Sequence, residues 1–216
     1  MKPLVEFLVA GGPIMVPIGL CSILALGVMI ERAINLRRSK ILVPEIVQLV
    51  ETIDGPGDMD LTLKILDKNP GSFANVMRTA IENRGLGMDE IRDLVGDAGR
   101  REAKRIEKGL VALEAIAGVA PLLGLLGTVI GMIRVFRVIA LVGVGNANAL
   151  SGGISQALIT TAVGLSVAIP ALAAYHFFAS RATEIVSDME HHASELLRKL
   201  RGIRSMEMGA GPGADR

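Results

Sequence analysis

Three stretches of this chain carry no charge: Phe7 to Ile30, Ala115 to Ile133 and Ile154 to Ser180. A helix of roughly 20 apolar residues, rising about 1.5 Å per residue, crosses a hydrocarbon core of about 30 Å. Each stretch is long enough to do so, and a chain of 216 residues could not enclose all three in one soluble core. The expected fold is an all-α membrane protein with three transmembrane helices and long helical cytoplasmic extensions. A mean hydropathy of +0.49 agrees with that reading. A signal peptide competes for the first stretch, since Lys2 precedes it, but no small-residue cleavage site follows before Glu31 and Arg32.

Between the first two stretches, from Arg32 to Lys108, the chain is charged and helical in pattern. It is punctuated by Asp54-Gly55-Pro56-Gly57, Asn69-Pro70-Gly71 and Arg84-Gly85-Leu86-Gly87. Asp58 and Asp60 are placed to start a helix running to Lys68, and Asp89 with Glu90 to start another running through Arg105. With no break signal recognised before Ala115, that basic helix is expected to continue into the second span, where Pro121 can kink it. Gly143 to Gly153 reads as a turn, and the third span continues past Arg181 as an amphipathic helix with Ile185, Met189, Leu196, Leu200 and Ile203 on one face. The chain thus divides into an N-terminus and first transmembrane helix (1–34), a cytoplasmic helical region (35–108), a second transmembrane helix (109–140), a periplasmic turn (141–153), a third transmembrane helix (154–181) and a cytoplasmic helix with a disordered Gly-rich tail (182–216).

Basic residues set the orientation. They cluster at Arg32, Arg37, Arg38 and Lys40, at Arg100 to Lys108, and at Arg181 with Arg198 to Arg204, which places the large loop and the C-terminus in the cytoplasm and the N-terminus outside. With 23 Lys and Arg against 22 Asp and Glu, the chain lacks the basic excess of a nucleic-acid binder. The single cysteine, Cys21, provides neither a disulfide framework nor a zinc site.

The chemistry of an enzyme is hard to find. No Gly-Lys-Ser/Thr phosphate loop is present, so no nucleotide or other cofactor is expected. Ser166 and His176 lie on one helix about 15 Å apart, too far for a catalytic dyad. His191 and Glu195, at helical spacing, do not close a metal site by themselves.

The spans offer small residues and hydroxyls instead. Ala120, Gly124, Gly127 and Gly131 share one flank of the second span, where they permit close helix approach. Beside them, Pro121, Gly124, Leu125, Thr128, Met132 and Val135 form a stripe whose only polar side chain is Thr128. In the third span Ile154, Ala157, Leu158, Thr161, Gly164, Leu165 and Ala168 form a similar stripe around Thr161, with Gln156 and Thr160 on the neighbouring face. Intramembrane threonines often bond only to their own helix, which is the plainer reading of each. Asp and Glu are absent from all three spans, so an ion carrier that titrates has to come from another chain.

Two segments carry a resemblance. Ala120-Pro121-Leu122-Leu123-Gly124-Leu125-Leu126-Gly127-Thr128-Val129-Ile130-Gly131-Met132, and Ile154-Ser155-Gln156-Ala157-Leu158-Ile159-Thr160-Thr161-Ala162-Val163-Gly164-Leu165 followed by Ala168-Ile169-Pro170-Ala171, resemble the MotA/TolQ/ExbB proton channel family, and most closely its ExbB and TolQ branch. The resemblance implies a multi-pass protein of the bacterial inner membrane. It implies a homopentamer whose second and third helices surround a pore holding an ExbD- or TolR-like dimer of single-span partners. An aspartate of that partner then carries a proton or sodium ion, and the motive force drives work across the envelope through a TonB-like or other effector. Thr128 and Thr161 match the family's pore threonines; Thr160 and Gln156 complete the expected pathway, and Gly124, Gly127, Gly131 and Gly164 the expected helix packing. The ExbB and TolQ members usually carry Glu where this chain has Gln156, and a neutral amide relays no proton by titration. The competing class is a membrane scaffold that assembles partners without conducting.

Overall fold

The computed structural model describes residues 11–53, 55, 57–143 and 147–209. Among them every regular element is a helix: α1 (Met15–Asn35), α2 (Arg38–Ile41), α3 (Pro44–Thr52), α4 (Asp58–Lys68), α5 (Ser72–Glu82), α6 (Met88–Glu107), α7 (Leu110–Val142) and α8 (Ala147–Gly209). Three of these, α1, α7 and α8, are long and apolar enough to cross a membrane. The chain divides into two compact units, with cuts after Ala33, Lys108 and Phe178.

The apolar unit holds α1, α7 and the first half of α8. Many of its buried positions are small, among them Ala25, Ala117, Ala120, Ala157, Ala168 and Ala171, alongside a few large ones such as Ile18, Leu113 and Ile116. Most of its large side chains are at least partly exposed: Ile23 is 70% exposed, Leu122 64%, Leu158 65% and Ile169 65%. A soluble protein inverts this arrangement, and the inversion is what lipid or neighbouring membrane helices require.

The charged unit holds α2 to α6 and the remainder of α8. Ile185, Met189, Leu196, Leu200 and Ile203, the predicted apolar face of α8, are all buried there, alongside Ile46, Leu66, Phe73, Met77, Ile81 and Ile91. The three loop signals fall in the gaps between α3, α4, α5 and α6, and the predicted starts of α4 and α6 are correct to within a residue. Asp58 Oδ2 accepts from the Gly55 amide at 3.2 Å, which ties the loop to the start of α4. Arg38 pairs with Asp188, and the Lys199 ammonium reaches the Glu51 carbonyl, so polar contacts as well as apolar burial hold α8 to this unit.

Among the described residues the helix of the first span begins at Met15: Gly12 has φ +72, in the left-handed region that favours glycine, and Pro13 follows it. Phe7 to Ala10 lie outside the described residues, as does all of the expected disordered tail, Gly209 to Arg216, except Gly209, which ends α8. Two expected boundaries are corrected. The basic helix does not run on into the second span. It stops at Glu107, and Gly109, with φ +99, separates it from α7. The turn after the second span is shorter than Gly143 to Gly153, because α8 is already helical at Ala147.

Candidate functional site

The apolar unit is organised by the seam between α7 and α8, and small residues determine how close that seam is. A Cβ placed on Gly124 would lie 3.0 Å from the Thr160 carbonyl oxygen and 3.5 Å from Gly164 Cα. One on Gly127 would lie 2.2 Å from Thr160 Oγ1, and one on Gly131 2.8 Å from the Gly153 oxygen and 2.9 Å from Ala157 Cβ. From α8, a Cβ on Gly164 would come within 2.7 Å of the Ala120 oxygen. The two helices therefore run antiparallel with their backbones in contact, and glycine is required along the line. Gly124, Gly127, Gly131 and Gly164 all meet within one chain.

Hydroxyls lie along the same seam. Thr160 has no exposed surface, packs against Gly127, and shares its proton between the Gln156 and Ala157 carbonyls at 3.1 and 2.9 Å. Thr161 is half-buried and donates across the seam to the Gly124 carbonyl at 3.2 Å. Thr128, also half-buried, donates to its own helix at Leu125 O, 2.6 Å away. Beyond Thr128 the surface of α7 is apolar and open, with Leu125 58% and Val129 50% exposed. Thr128 thus stands at the border between the closed seam and an unpartnered face.

Gln156 is 3% exposed and does more than fill space. Its Oε1 accepts from Arg134 Nη1 at 2.6 Å and its Nε2 donates to the Gly11 carbonyl at 3.3 Å. Guanidinium can only donate and a carbonyl can only accept, so the chemistry of the two neighbours fixes which way the amide points. The turn at Gly11 and Gly12, α7 and α8 are joined through this one side chain. A Cβ on Gly12 would stand 2.3 Å from Gln156 Nε2, so the turn can approach the amide only as glycine. A carboxylate could satisfy Arg134 but would present oxygen to the Gly11 oxygen. That mismatch is a physical reason for an amide here.

The profile of the MotA/TolQ/ExbB proton channel family matches residues 68–191, which include the whole seam. This chain belongs to that family. Among its relatives, the ExbB-like 3 biopolymer transport protein of Synechocystis sp. is 33% identical over 178 residues, covering 79% of this chain and 82% of the relative. The biopolymer transport protein ExbB of Xanthomonas campestris is 35% identical over 96 residues, 44% of this chain and 38% of the relative. The Tol-Pal system protein TolQ of Pseudomonas aeruginosa is 35% identical over 115 residues, 51% of this chain and 50% of the relative. The chain therefore spans half or less of those last two proteins.

For this family member the sequence pointed to Thr128, Thr161, Thr160 and Gln156, and the structure brings the last three directly onto the α7–α8 seam. It adds Arg134, the residue that follows the uncharged stretch Ala115 to Ile133. The signal was available: small residues recur along α7 and α8 at matching intervals, and aligning them antiparallel carries Arg134 to Gln156. On the C-terminal half of α8, His192 and not His191 approaches Glu195, with Nδ1 3.8 Å from Oε2, while His191 is exposed.

Proposed function

We propose that this chain is an energy-transducing subunit of a bacterial inner membrane, which with a single-span partner of the ExbD or TolR kind couples ion movement to work across the envelope. The observation that carries this reading is Thr128 at the edge of an open apolar face, in a chain whose three long uncharged stretches, 7–30, 115–133 and 154–180, contain no Asp or Glu. Such a face suits a membrane helix from another chain, and a carboxyl on that helix finds its only side-chain hydroxyl on this face at Thr128. Thr161 supplies a second hydroxyl across the seam. Thr160 and Gln156, buried within one chain, hold the helices in register and stand behind the pathway. Family membership supports the reading, and the ExbB and TolQ relatives supply the partner class. A homopentamer with the N-terminus outside is part of the same proposal.

The test is ion flux in vesicles containing this chain and the product of the adjacent reading frame. Flux that requires both proteins and falls to background in Thr128→Val supports conduction. A complex that assembles and conducts nothing under either a proton or a sodium gradient overturns it in favour of a scaffold.

A further inference from the structure

The charges that follow the first and third spans converge. Arg37 and Arg38 come just after α1 ends at Asn35, and Arg181 is the first charged residue after the third uncharged run. Within the charged unit these three arginines, with Ser39, Gln48 and His192, line one open cleft of about 670 Å³, and no carboxylate lines it. Arg38 is held by Asp188, through Nε at 2.9 Å and Nη2 at 2.8 Å. Arg37 and Arg181 are exposed and have no ion-pair partner among the described residues. The His192 ring is set edge-on against Phe73, with centroids 5.7 Å apart, and its buried Nδ1 makes no hydrogen bond.

Cations on a convex surface are satisfied by water. Three guanidinium groups line one concavity, while the nearby carboxylates, Asp188 on Arg38 and Glu195 on His192, lie outside its lining, so positive potential is focused into it. The guanidinium fork matches the oxygens of a phosphate in pairs, and a hydroxyl and an amide beside it add neutral donors. From this geometry we propose that the cleft is a binding site for an anionic phosphate, and that its occupant is the headgroup of an acidic phospholipid. The position in the chain selects the lipid: all three arginines immediately follow segments that cross the bilayer, where headgroup phosphates are at their highest concentration. The site is independent of ion conduction.

The experiment uses the full chain, purified with its partner where one co-purifies, and native mass spectrometry to compare retention of phosphatidylglycerol with phosphatidylcholine. The cleft variant is Arg37→Ala with Arg181→Ala, two exposed residues whose removal leaves the Arg38–Asp188 pair in place. The control, Arg101→Ala with Lys104→Ala, removes the same charge from exposed positions of α6. The unaltered protein should prefer phosphatidylglycerol, and the cleft variant, which removes two arginines, should lose that preference by at least about tenfold, the change expected for a single charge-assisted contact. The control should keep it. Inorganic phosphate is the second probe: if it raises thermal stability in detergent without lipid, in the unaltered protein and not in the cleft variant, the anion site stands and the lipid occupant is overturned. An equal loss in both variants, or no preference at the start, overturns the site.

Discussion

Replacing Gly127 by Ala adds one methyl group where the α7–α8 seam has no room for it. That Cβ would lie 2.2 Å from Thr160 Oγ1 and 2.4 Å from Thr160 Cβ, whereas relaxed carbon contacts are about 3.5 to 4.0 Å. Thr160 cannot swing aside, because it is fully buried, β-branched, and bonded through Oγ1 to two carbonyls of its own helix. The helices must part by about 1 Å, at an overpacking cost of about 2 kcal/mol. Parting also stretches the 3.2 Å bond from Thr161 to Gly124, which contributes about 0.6 kcal/mol in a membrane. Against these stands a gain of about 1 kcal/mol from Ala over Gly in a helix. The net expectation is a loss of about 1.5 kcal/mol, measured by reversible unfolding in mixed micelles with increasing dodecyl sulfate. Moving the methyl to the other side of the contact provides the decisive comparison: Thr160→Gly combined with Gly127→Ala should be more stable than the sum of the single changes by about 1 kcal/mol. Gly118→Ala, on the same helix with nothing within 4 Å of the new Cβ, should show the helix gain alone, up to about 1 kcal/mol. Additive behaviour of the pair, or a Gly127→Ala protein as stable as the parent, refutes the seam.

Thr128→Val should leave stability nearly unchanged and abolish flux, because the hydroxyl bonds only to its own helix; flux at the parental level returns it to the structural class. Thr161→Val should abolish flux and also lower stability by about 0.6 kcal/mol for the lost interhelical bond, measured in the same micelle assay. Gln156→Glu should assemble and conduct, with a small loss of stability, whereas Gln156→Leu strands both Arg134 and the Gly11 carbonyl and should cost about 2 kcal/mol; equal stability of the two variants would remove the three-way contact from the argument. In a Cys21→Ser background, Lys2→Cys should react with an impermeant reagent from outside and the exposed Arg201→Cys should not. The reverse pattern overturns the orientation.

The parts of this fold that could be read in advance are those encoded by period and by length. Uncharged runs gave the spans, Gly-Pro clusters the gaps between α3 and α6, and the recurrence from Ile185 to Ile203 the buried face of α8. What escaped is encoded by single residues whose meaning depends on what lies opposite. Gly109 sits between Lys108 and an apolar segment and resembles any glycine of a membrane helix, yet its backbone is left-handed and ends α6. Gly143 and the asparagines after it suggested a turn up to Gly153, but Ala147 onward is helical, and Gly153 is needed as glycine because Val135 Cγ2 would stand 2.5 Å from a Cβ there. The hydroxyls were visible in the sequence, while the distinction between Thr160, sealed inside one chain, and Thr128, on its border, required the packing.

That distinction bears on how the proposed pathway would treat the two forms of a partner's carboxyl. As the threonines stand, each hydroxyl proton is already committed, Thr128 to Leu125 O and Thr161 to Gly124 O. What each has left is oxygen lone pairs, which accept. A protonated carboxyl has a proton to donate and is matched by such an oxygen; an ionised carboxylate can only accept and is not. The arrangement therefore favours the neutral acid beside Thr128, and an ionised carboxylate could be held there only if the hydroxyl turned away from Leu125, giving up a bond inside an apolar environment where no water replaces it. Thr161 differs, because turning its hydroxyl would break a contact between two helices and not one within a helix. Binding of the charged form at Thr161 is thus linked to loosening of the α7–α8 seam, and binding of the neutral form is not. A pathway built this way would couple the protonation state of the partner to the spacing of two helices, which is the kind of linkage that converting ion movement into mechanical work demands.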